Sequence, residues 1–327
     1  MKSPLISVVM SVYKEPIEWL HQSIDSILNQ TLSDFEFIIV CDNPDYKEGI
    51  ALLKEYAGSD SRIVLLFNDC NIGLTKSLNR GLNVAKGEYI ARMDADDISV
   101  VNRLEKQVNF LNSNIDVDIC HTNISFINNN NVIIVEKVIP QYRTSQDFLF
   151  WHNIAAHPTV MFRYRILSIR SPLYNETFSS AQDYELWTFV SSKGYVISFL
   201  DEILLEYRVS SKQISAKKMD EQHANTTRAR KIYIYDYLKR QGIIDSDYDK
   251  SLKTVFEIIN EKSLKNSDIE MCRIKYILYY NLAITNPKYI IKYFLDKQMR
   301  ALPHIMKDDI RILFAPLIDI KHKAFKL

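Results

Sequence analysis

Two hydrophobic rhythms alternate along the first 115 positions. "LISVVMSVY" is an almost unbroken apolar run, the pattern of a strand buried on both faces. A segment with Leu20, Ile24, Ile27 and Leu28 on one helical face follows it. The alternation then repeats. "FEFIIVC" reads as a strand, "EGIALLKEYA" as a helix and "RIVLLF" as a strand. A helix carries Leu74, Leu78 and Leu82, "GEYIARM" is a further strand, and a helix with Leu104, Val108 and Leu111 comes next. This β-α-β-α order predicts a mostly parallel sheet with helices on both faces. Ligands of such sheets bind beyond the carboxyl ends of the strands. Asp42 closes "FEFIIVC" and Asp94 closes "GEYIARM", so both acids fall on that edge.

From about Asp116 the rhythm changes. "ICHTNISFI" and "VIIVEKVI" flank "NNNN", which predicts a hairpin with an asparagine-rich turn. "AAHPTVMF" reads as a strand, "SAQDYELWTFVSSKG" as a helix ending at Gly194, and "YVISFL" and "ILLEYRV" as two more strands. Beyond Ser215 the pattern is helical, most amphipathic in "NPKYIIKYFLDKQMRALPHIMKDDIRILF". The expected organisation is therefore an α/β domain over 1–215, with halves 1–115 and 116–215, and a helical region over 216–327.

Composition sharpens this outline. The 327 residues include only 7 glycines, which argues against a glycine-rich phosphate cradle. Cys41, Cys70, Cys120 and Cys272 are scattered, so they read as small buried residues rather than a disulfide framework or zinc site. The formal charge of +1 conceals an asymmetry, with 19 Lys/Arg against 26 Asp/Glu up to Ser215 and 22 against 14 after it. The N-terminal apolar stretch lacks a small-residue cleavage site and reads as a first strand rather than a signal peptide. No stretch approaches the roughly 18 apolar residues of a membrane span, so a cytoplasmic chain is expected.

"ARMDADDIS" places Asp94, Asp96 and Asp97 within four positions of a strand end. Like charges a few ångströms apart require compensation. Three routes are open: a helix cap, an arginine partner such as Arg92, or a divalent cation bound by hard oxygen ligands. The plainest local reading has Asp97 capping a helix that starts near Ser99 while the other two acids are solvated. Asp42, likewise, suits an Asx turn into "NPD".

Several motifs in order, "ISVVMSVYKE", "ILNQTLSDFEFIIVCDNP", "NIGLTKSLNRGLNVAKGEYIARMDADD", "RLEKQ", "AHPTVMFR" and "QDYELW", resemble the inverting glycosyltransferase family 2. The resemblance covers roughly the first two-thirds of the chain. It implies a GT-A catalytic domain, with 1–115 as the nucleotide-binding half and 116–215 as the acceptor-binding half. It also implies a UDP-sugar donor and Mn²⁺ or Mg²⁺. By that resemblance Ser11, Tyr13 and Asp42 hold the uridine, with Asp42 accepting from the uracil N–H. Asp94 faces the ribose or sugar, Asp96 binds the metal, and Asp97 supports the site or contacts the donor sugar.

The motif "AQDYELW" aligns Asp183 with the family's general base, and Glu185 is its local competitor. An acid at a helix start is also what the helix dipole favours, and the two readings are compatible. The resemblance implies a histidine near the donor pocket at His157, in a supporting role or, as a weaker alternative, as a metal ligand, while a lone histidine reads as a structural hydrogen-bonder. Asn79 and Lys86 are expected on the helix before the DADD strand, the first supporting the site and the second at the surface. Trp187 reads as core.

The resemblance further implies transfer of a hexose, glucose or galactose, to a sugar acceptor on a polyprenyl diphosphate. The product would be an O-antigen or capsule unit built at the inner face of a bacterial plasma membrane. The alternatives are a nucleotidyltransferase that makes the nucleotide sugar, for which "SVYKEP" supplies no glycine-rich loop, or a non-catalytic membrane-associated partner. Downstream of Met271, 11 Lys/Arg stand against 4 Asp/Glu among aromatics. Two readings stay open there, a surface for anionic lipid and an ordinary packing subdomain. No nucleic-acid-binding motif accompanies the charge.

Overall fold

The computed structural model describes residues 3–137, 149, 153–209 and 219–240. The chain forms two compact units, Met1–Tyr233 and Ile234–Leu327. Most of the described residues belong to the first. The stretch from 286 onward and Cys272 lie outside the described residues.

The strand and helix rhythm of the first half is realised element by element. Strands β1 (Ile6–Val12), β2 (Phe35–Cys41), β3 (Ile63–Phe67) and β4 (Tyr89–Asp94) run parallel in the order β3-β2-β1-β4. Helices α1 (Ile17–Leu28), α2 (Lys47–Ser59) and α3 (Leu74–Leu82) connect them, and α4 (Arg103–Ser113) follows. The two-residue period of the strands divides their side chains between two faces. Val8, Met10, Phe37, Ile39, Ala91 and Met93 pack with Leu20, Ile24 and Ile27 of α1 and with Leu104, Val108 and Leu111 of α4. The opposite face carries Val9, Val40 and Arg92. There α3 lies so close that a Cβ on Gly81 would sit 2.8 Å from Val9 Cγ1 and 3.3 Å from Val40 Cγ2.

The second half extends the sheet with antiparallel pairings of β8 to β4 and β6, β7 to β6 and β5 to β9, and with a parallel pairing of β6 to β9. Strands β5 (Ile98–Ser99), β6 (Ile119–Ile127), β7 (Ile133–Lys137), β8 (Met161–Arg163) and β9 (Ile197–Arg208) complete nine strands among the described residues, in the order β3-β2-β1-β4-β8-β6-β9-β5 with β7 paired to β6 off this path. The predicted hairpin is β6–β7, with Asn131 at φ 60° in its turn. Helix α5 (Gln182–Ser192) precedes β9, Gly194 takes φ 88° just past its end, and α6 (Met219–Arg240) is the last described element.

Four local expectations are corrected. "AAHPTVMF" is not one strand: His157–Thr159 form a 3-10 turn with Pro158 inside it, and only Met161–Arg163 pair as β8. "YVISFL" and "ILLEYRV" are one strand, β9, whose register against β6 shifts around Asn123. Lys86 lies beyond the end of α3, in the turn before β4, although it is exposed as expected. Cys70 is exposed, whereas Cys41 and Cys120 are buried.

The turn into β4 is held by a buried staple. The Glu36 carboxylate accepts the Ser7 hydroxyl at 2.6 Å and the Lys86 N–H at 2.7 Å, and Ser7 Oγ accepts the Gly87 N–H at 2.8 Å. Backbones approach so closely here that a Cβ on Gly87 would fall 2.3 Å from the Ser7 nitrogen. Gly87→Ala is therefore expected to destabilise the protein by more than about 2 kcal/mol, because main chain rather than a flexible side chain must yield. Urea unfolding of the two proteins checks this, and equal midpoints would refute it.

Candidate active site

The parallel arrangement changes at β4, and a cleft of about 580 Å³ opens beside its carboxyl end. The first half of the chain contributes Tyr13, Glu15, Trp19, Arg92, Asp94 and Asp96 to its lining. The second half contributes Phe126, Asn153, His157, Asp183 and Tyr207, and Gln222 of α6 adds a wall.

The acidic turn is shaped by hydrogen bonds from distant parts of the chain. Ser23 of α1 donates to the Asp94 carbonyl at 2.8 Å, and Gln30 links Val100 to Leu104. Arg208, at the end of β9, donates its backbone N–H to Asp97 Oδ1 at 2.8 Å and its Nε–H to the Asp96 carbonyl at 2.7 Å. Its guanidinium also reaches Asn131, Asn128 and Gln22 and lies over the Trp19 ring. The plainest local reading of Asp97 is thus overturned. Asp97 caps no helix, because β5 intervenes and α4 begins only at Arg103.

Charge compensation is partial. Arg92 sits two residues before Asp94, on the same face of β4, and pairs with its carboxylate. Arg103, fully buried behind the turn, donates to the Arg92 carbonyl at 2.6 Å. Burial and the nearby Arg92 lower its pKa to about 10. Carboxylate oxygens of Asp94, Asp96 and Asp97 lie within 4.8 Å of one another. Burial, and then the charges of Asp96 and Asp94, push Asp97 well above the usual carboxylate range. Its Oδ2 is enclosed without a hydrogen-bond partner. Burial, with Asp96 and Asp94 contributing, also pushes the Glu15 carboxyl up to about 7. Three converging carboxylates with one orphaned oxygen form a donor set that fits a hard divalent cation.

Across the cleft, Asp183 stands in the first turn of α5, behind Ala181 in the left-handed region at φ 56°. Its Oδ2 accepts the Asn153 amide at 2.6 Å. Burial raises its pKa, opposed by the N–H groups of Tyr184 and Asp183, by Asn153 and by Arg92. Glu185 is turned away into a bidentate ion pair with Arg170, at 2.7 and 2.8 Å. His157 is buried and shares a hydrogen bond of 2.7 Å with the Tyr174 hydroxyl. Burial and Arg92 hold it well below the usual imidazole range, so it is neutral. Tyr174 and Phe178 are tied to α3 by Asn79 and Thr75. Trp187 is fully buried, as its apolar setting predicted.

The structure brings Tyr13, Asp94, Asp96 and Asp183 together on the cleft and buries Asp97 beneath it. Ser11 lies on β1 opposite Asp94. Asp42 is buried outside the lining, where it accepts Asn68 Nδ2 at 2.7 Å and the Ile72 and Gly73 N–H groups at 2.8 Å. Sequence reasoning did not single out Glu15, Asn153, Tyr174 or Arg208. Only Glu15 carried a local signal, standing two positions from Tyr13.

Residues 7–169 match the family model "Glycosyl transferase family 2". An uncharacterized glycosyltransferase of Methanocaldococcus jannaschii is 36% identical over 241 residues, covering 73% of this chain and 80% of that one. This chain belongs to glycosyltransferase family 2. The O-antigen biosynthesis glycosyltransferase WbnJ of Escherichia coli is 37% identical over 211 residues, covering 64% of this chain and 81% of WbnJ. The E. coli UDP-Glc:alpha-D-GlcNAc-diphosphoundecaprenol beta-1,3-glucosyltransferase WfgD is 31% identical over 262 residues, covering 80% and 93%. The fold matches a crystal structure of Staphylococcus aureus TarS 1–349 in complex with UDP-GlcNAc, with a TM-score of 0.57 at 14% identity over 87% of this chain and 82% of TarS. The sheet is accordingly that of a GT-A glycosyltransferase.

The raised pKa of Asp97 has a sign that can be tested. A buried acid whose folded pKa exceeds its unfolded value favours the protonated fold. Stability is therefore lost as pH rises above the ordinary carboxylate pKa of about 4 toward the folded value. Asp97→Asn removes that loss, so the metal-free variant is expected to melt higher than the parent at pH 7 and to depend less on pH above about 4. Mn²⁺ is expected to raise the melting temperature of the parent and not that of the variant. Melting curves at several pH values with and without Mn²⁺ check both, and a variant that melts lower at pH 7 would refute the protonation argument.

Proposed function

We propose that this glycosyltransferase moves a hexose, glucose or galactose, from a UDP-sugar onto a saccharide acceptor with inversion, using a divalent cation. The observation that carries this reading is a single cleft with two acidic stations, the Asp94–Asp96–Asp97 turn and Asp183. Asp96, with Asp94 and Asp97 beside it, would hold Mn²⁺ or Mg²⁺. When bound, such a cation supplies the positive charge that offsets a diphosphate leaving group.

The remaining roles fall to the chain itself. Asp183 accepts the proton of the acceptor hydroxyl while that oxygen attacks the anomeric carbon opposite the diphosphate. Its raised pKa makes the ionised carboxylate a stronger base, and the Asn153 amide favours that ionised form. Glu185 cannot take this part while Arg170 holds both its oxygens. Ser11, Tyr13 and Asp42 hold the uridine. Asp42 already accepts three hydrogen bonds, which leaves one of its roughly four acceptor positions for the uracil N–H. Trp19, Phe126 and Tyr207 offer apolar ring surface suited to sugar C–H faces.

The division of labour follows the chain order. Residues 1–115 form the nucleotide half and 116–215 the acceptor half of the catalytic domain, with α6 closing one side through Gln222. The names of WbnJ and WfgD support an O-antigen setting and an acceptor carried on a polyprenyl diphosphate. Among the described residues no helix is long and apolar enough to cross a membrane. Contact with the inner face of the membrane would then be peripheral.

Asp96→Ala and Asp183→Asn are each expected to lower Mn²⁺-dependent transfer from UDP-glucose or UDP-galactose by at least about 100-fold. They are expected to differ in binding. Asp183→Asn keeps the thermal shift produced by UDP with Mn²⁺, and Asp96→Ala loses it. Near-parental transfer by either variant would remove its residue from the assigned role.

A further inference from the structure

The base carboxylate has one side-chain hydrogen-bond partner among the described residues. Asn153 Nδ2 donates to Asp183 Oδ2 at 2.6 Å, a short, charge-assisted contact. The orientation of that amide is fixed from its other end, where Asn153 Oδ1 accepts the Ala155 N–H at 3.3 Å in an Asx turn. An amide oxygen committed to a backbone N–H leaves the NH₂ group facing the carboxylate, so the contact does not depend on which way the amide is assigned. Asn153 is exposed on the cleft rim, yet both ends of its side chain are engaged. The residues that follow it, Ala155 to Pro158, line the same cleft.

We propose that Asn153 is a positioning residue for the general base: it holds one oxygen of Asp183 and stabilises the ionised carboxylate. This rests on the assignment of Asp183 as the base. The amide occupies an acceptor position on Oδ2, and the amino end of α5 around it favours the same ionised form. The contact therefore fixes how the carboxylate is oriented as well as how it is charged.

The other groups facing Asp183 are few. Arg92 of β4 acts on it as a cation, and Tyr174 lies close enough to feel its charge. His157, bonded to Tyr174, is neutral. On α5 itself, Glu185 is neutralised by Arg170. On α6, Gln222 is uncharged and Glu221 is engaged by the Ser179 hydroxyl. Removing Asn153 takes a donor from the ionised form, so the carboxyl titrates at higher pH. Replacing it by aspartate sets a second carboxylate against the first and raises the midpoint further.

The test combines a titration with kinetics. The Asp183 carboxyl is followed by carbon-13 NMR in the full-length parent, Asn153→Ala and Asn153→Asp, with Asp183→Asn identifying the resonance. The midpoint is expected to rise by about half a pH unit or more in Asn153→Ala, and further in Asn153→Asp. In transfer assays with Mn²⁺, kcat of Asn153→Ala is expected to fall about tenfold to a hundredfold, with the donor KM nearly unchanged. The acid limb of the kcat/KM profile should move up by the same interval as the NMR midpoint. A midpoint that stays put in both folded variants overturns the contact. A midpoint that moves while the acid limb does not overturns the role in catalysis and locates the failure in the base assignment. A lower kcat with both unmoved reduces Asn153 to a structural residue.

Discussion

The crowding of three carboxylates at the end of β4 is the constraint around which the rest of this molecule is arranged. No single partner relieves it. Arg92 reaches Asp94 because the strand period puts residues two apart on one face. Arg208 fixes the turn through backbone atoms, taking the Asp96 carbonyl and offering its N–H to Asp97. Arg103 adds positive charge from behind without touching a carboxylate. What remains is borne by Asp97 as a raised pKa and an unpartnered oxygen. A site so incompletely compensated is poised for a cation.

The topology explains how Asp183 comes to stand opposite this turn. The parallel run β3-β2-β1-β4 ends at β4, whose next neighbour is antiparallel β8, and the chain passes from β8 to α5. That return crosses the face of the sheet that bears Arg92, and α3 lies on the same face. Asn79 and Thr75 of α3 bond the 174–178 segment, so the approach to α5 is tied to the helix that precedes β4. The acidic turn and Asp183 are more than 80 residues apart in sequence, yet Arg92 of β4 pairs with Asp94 and acts as a cation on Asp183. Relative placement of the two stations is therefore a property of the packed sheet and not of a loop.

The sequence revealed what repeats locally and concealed what does not. The four parallel strands and their helices follow from unbroken apolar runs and four-residue spacings, which a single strand or helix face is enough to produce. Asp94 and Asp96 were legible because they end such a run. His157 was misassigned to a strand because apolar neighbours outweighed Pro158, which ends pairing and leaves a 3-10 turn. Strand β9 was split at "DE" because a charged pair looks like a loop, although it falls at the register shift against β6, where polar residues reach solvent. Arg208 and Asn153 had no signal at all. Each acts on a residue 30 or more positions away, and nothing in the periodicity of their own segments marks them.

The two buried aspartates of the cleft show how one residue type is set to opposite tasks. Burial raises the pKa of both Asp97 and Asp183. At Asp97 the next contributors are two more carboxylates, which push the same way, with the Arg208 N–H and the Arg92 charge opposing them. At Asp183 every further contributor opposes burial: two backbone N–H groups, the Asn153 amide and Arg92. At Asp97 the neighbouring carboxylates thus add to the effect of burial, while at Asp183 the neighbours counter it. Their neighbours differ because one stands at the carboxyl end of a strand, among other strand-end acids, and the other at the amino end of a helix, where N–H groups point outward. Secondary structure, more than residue type, decides these opposite surroundings.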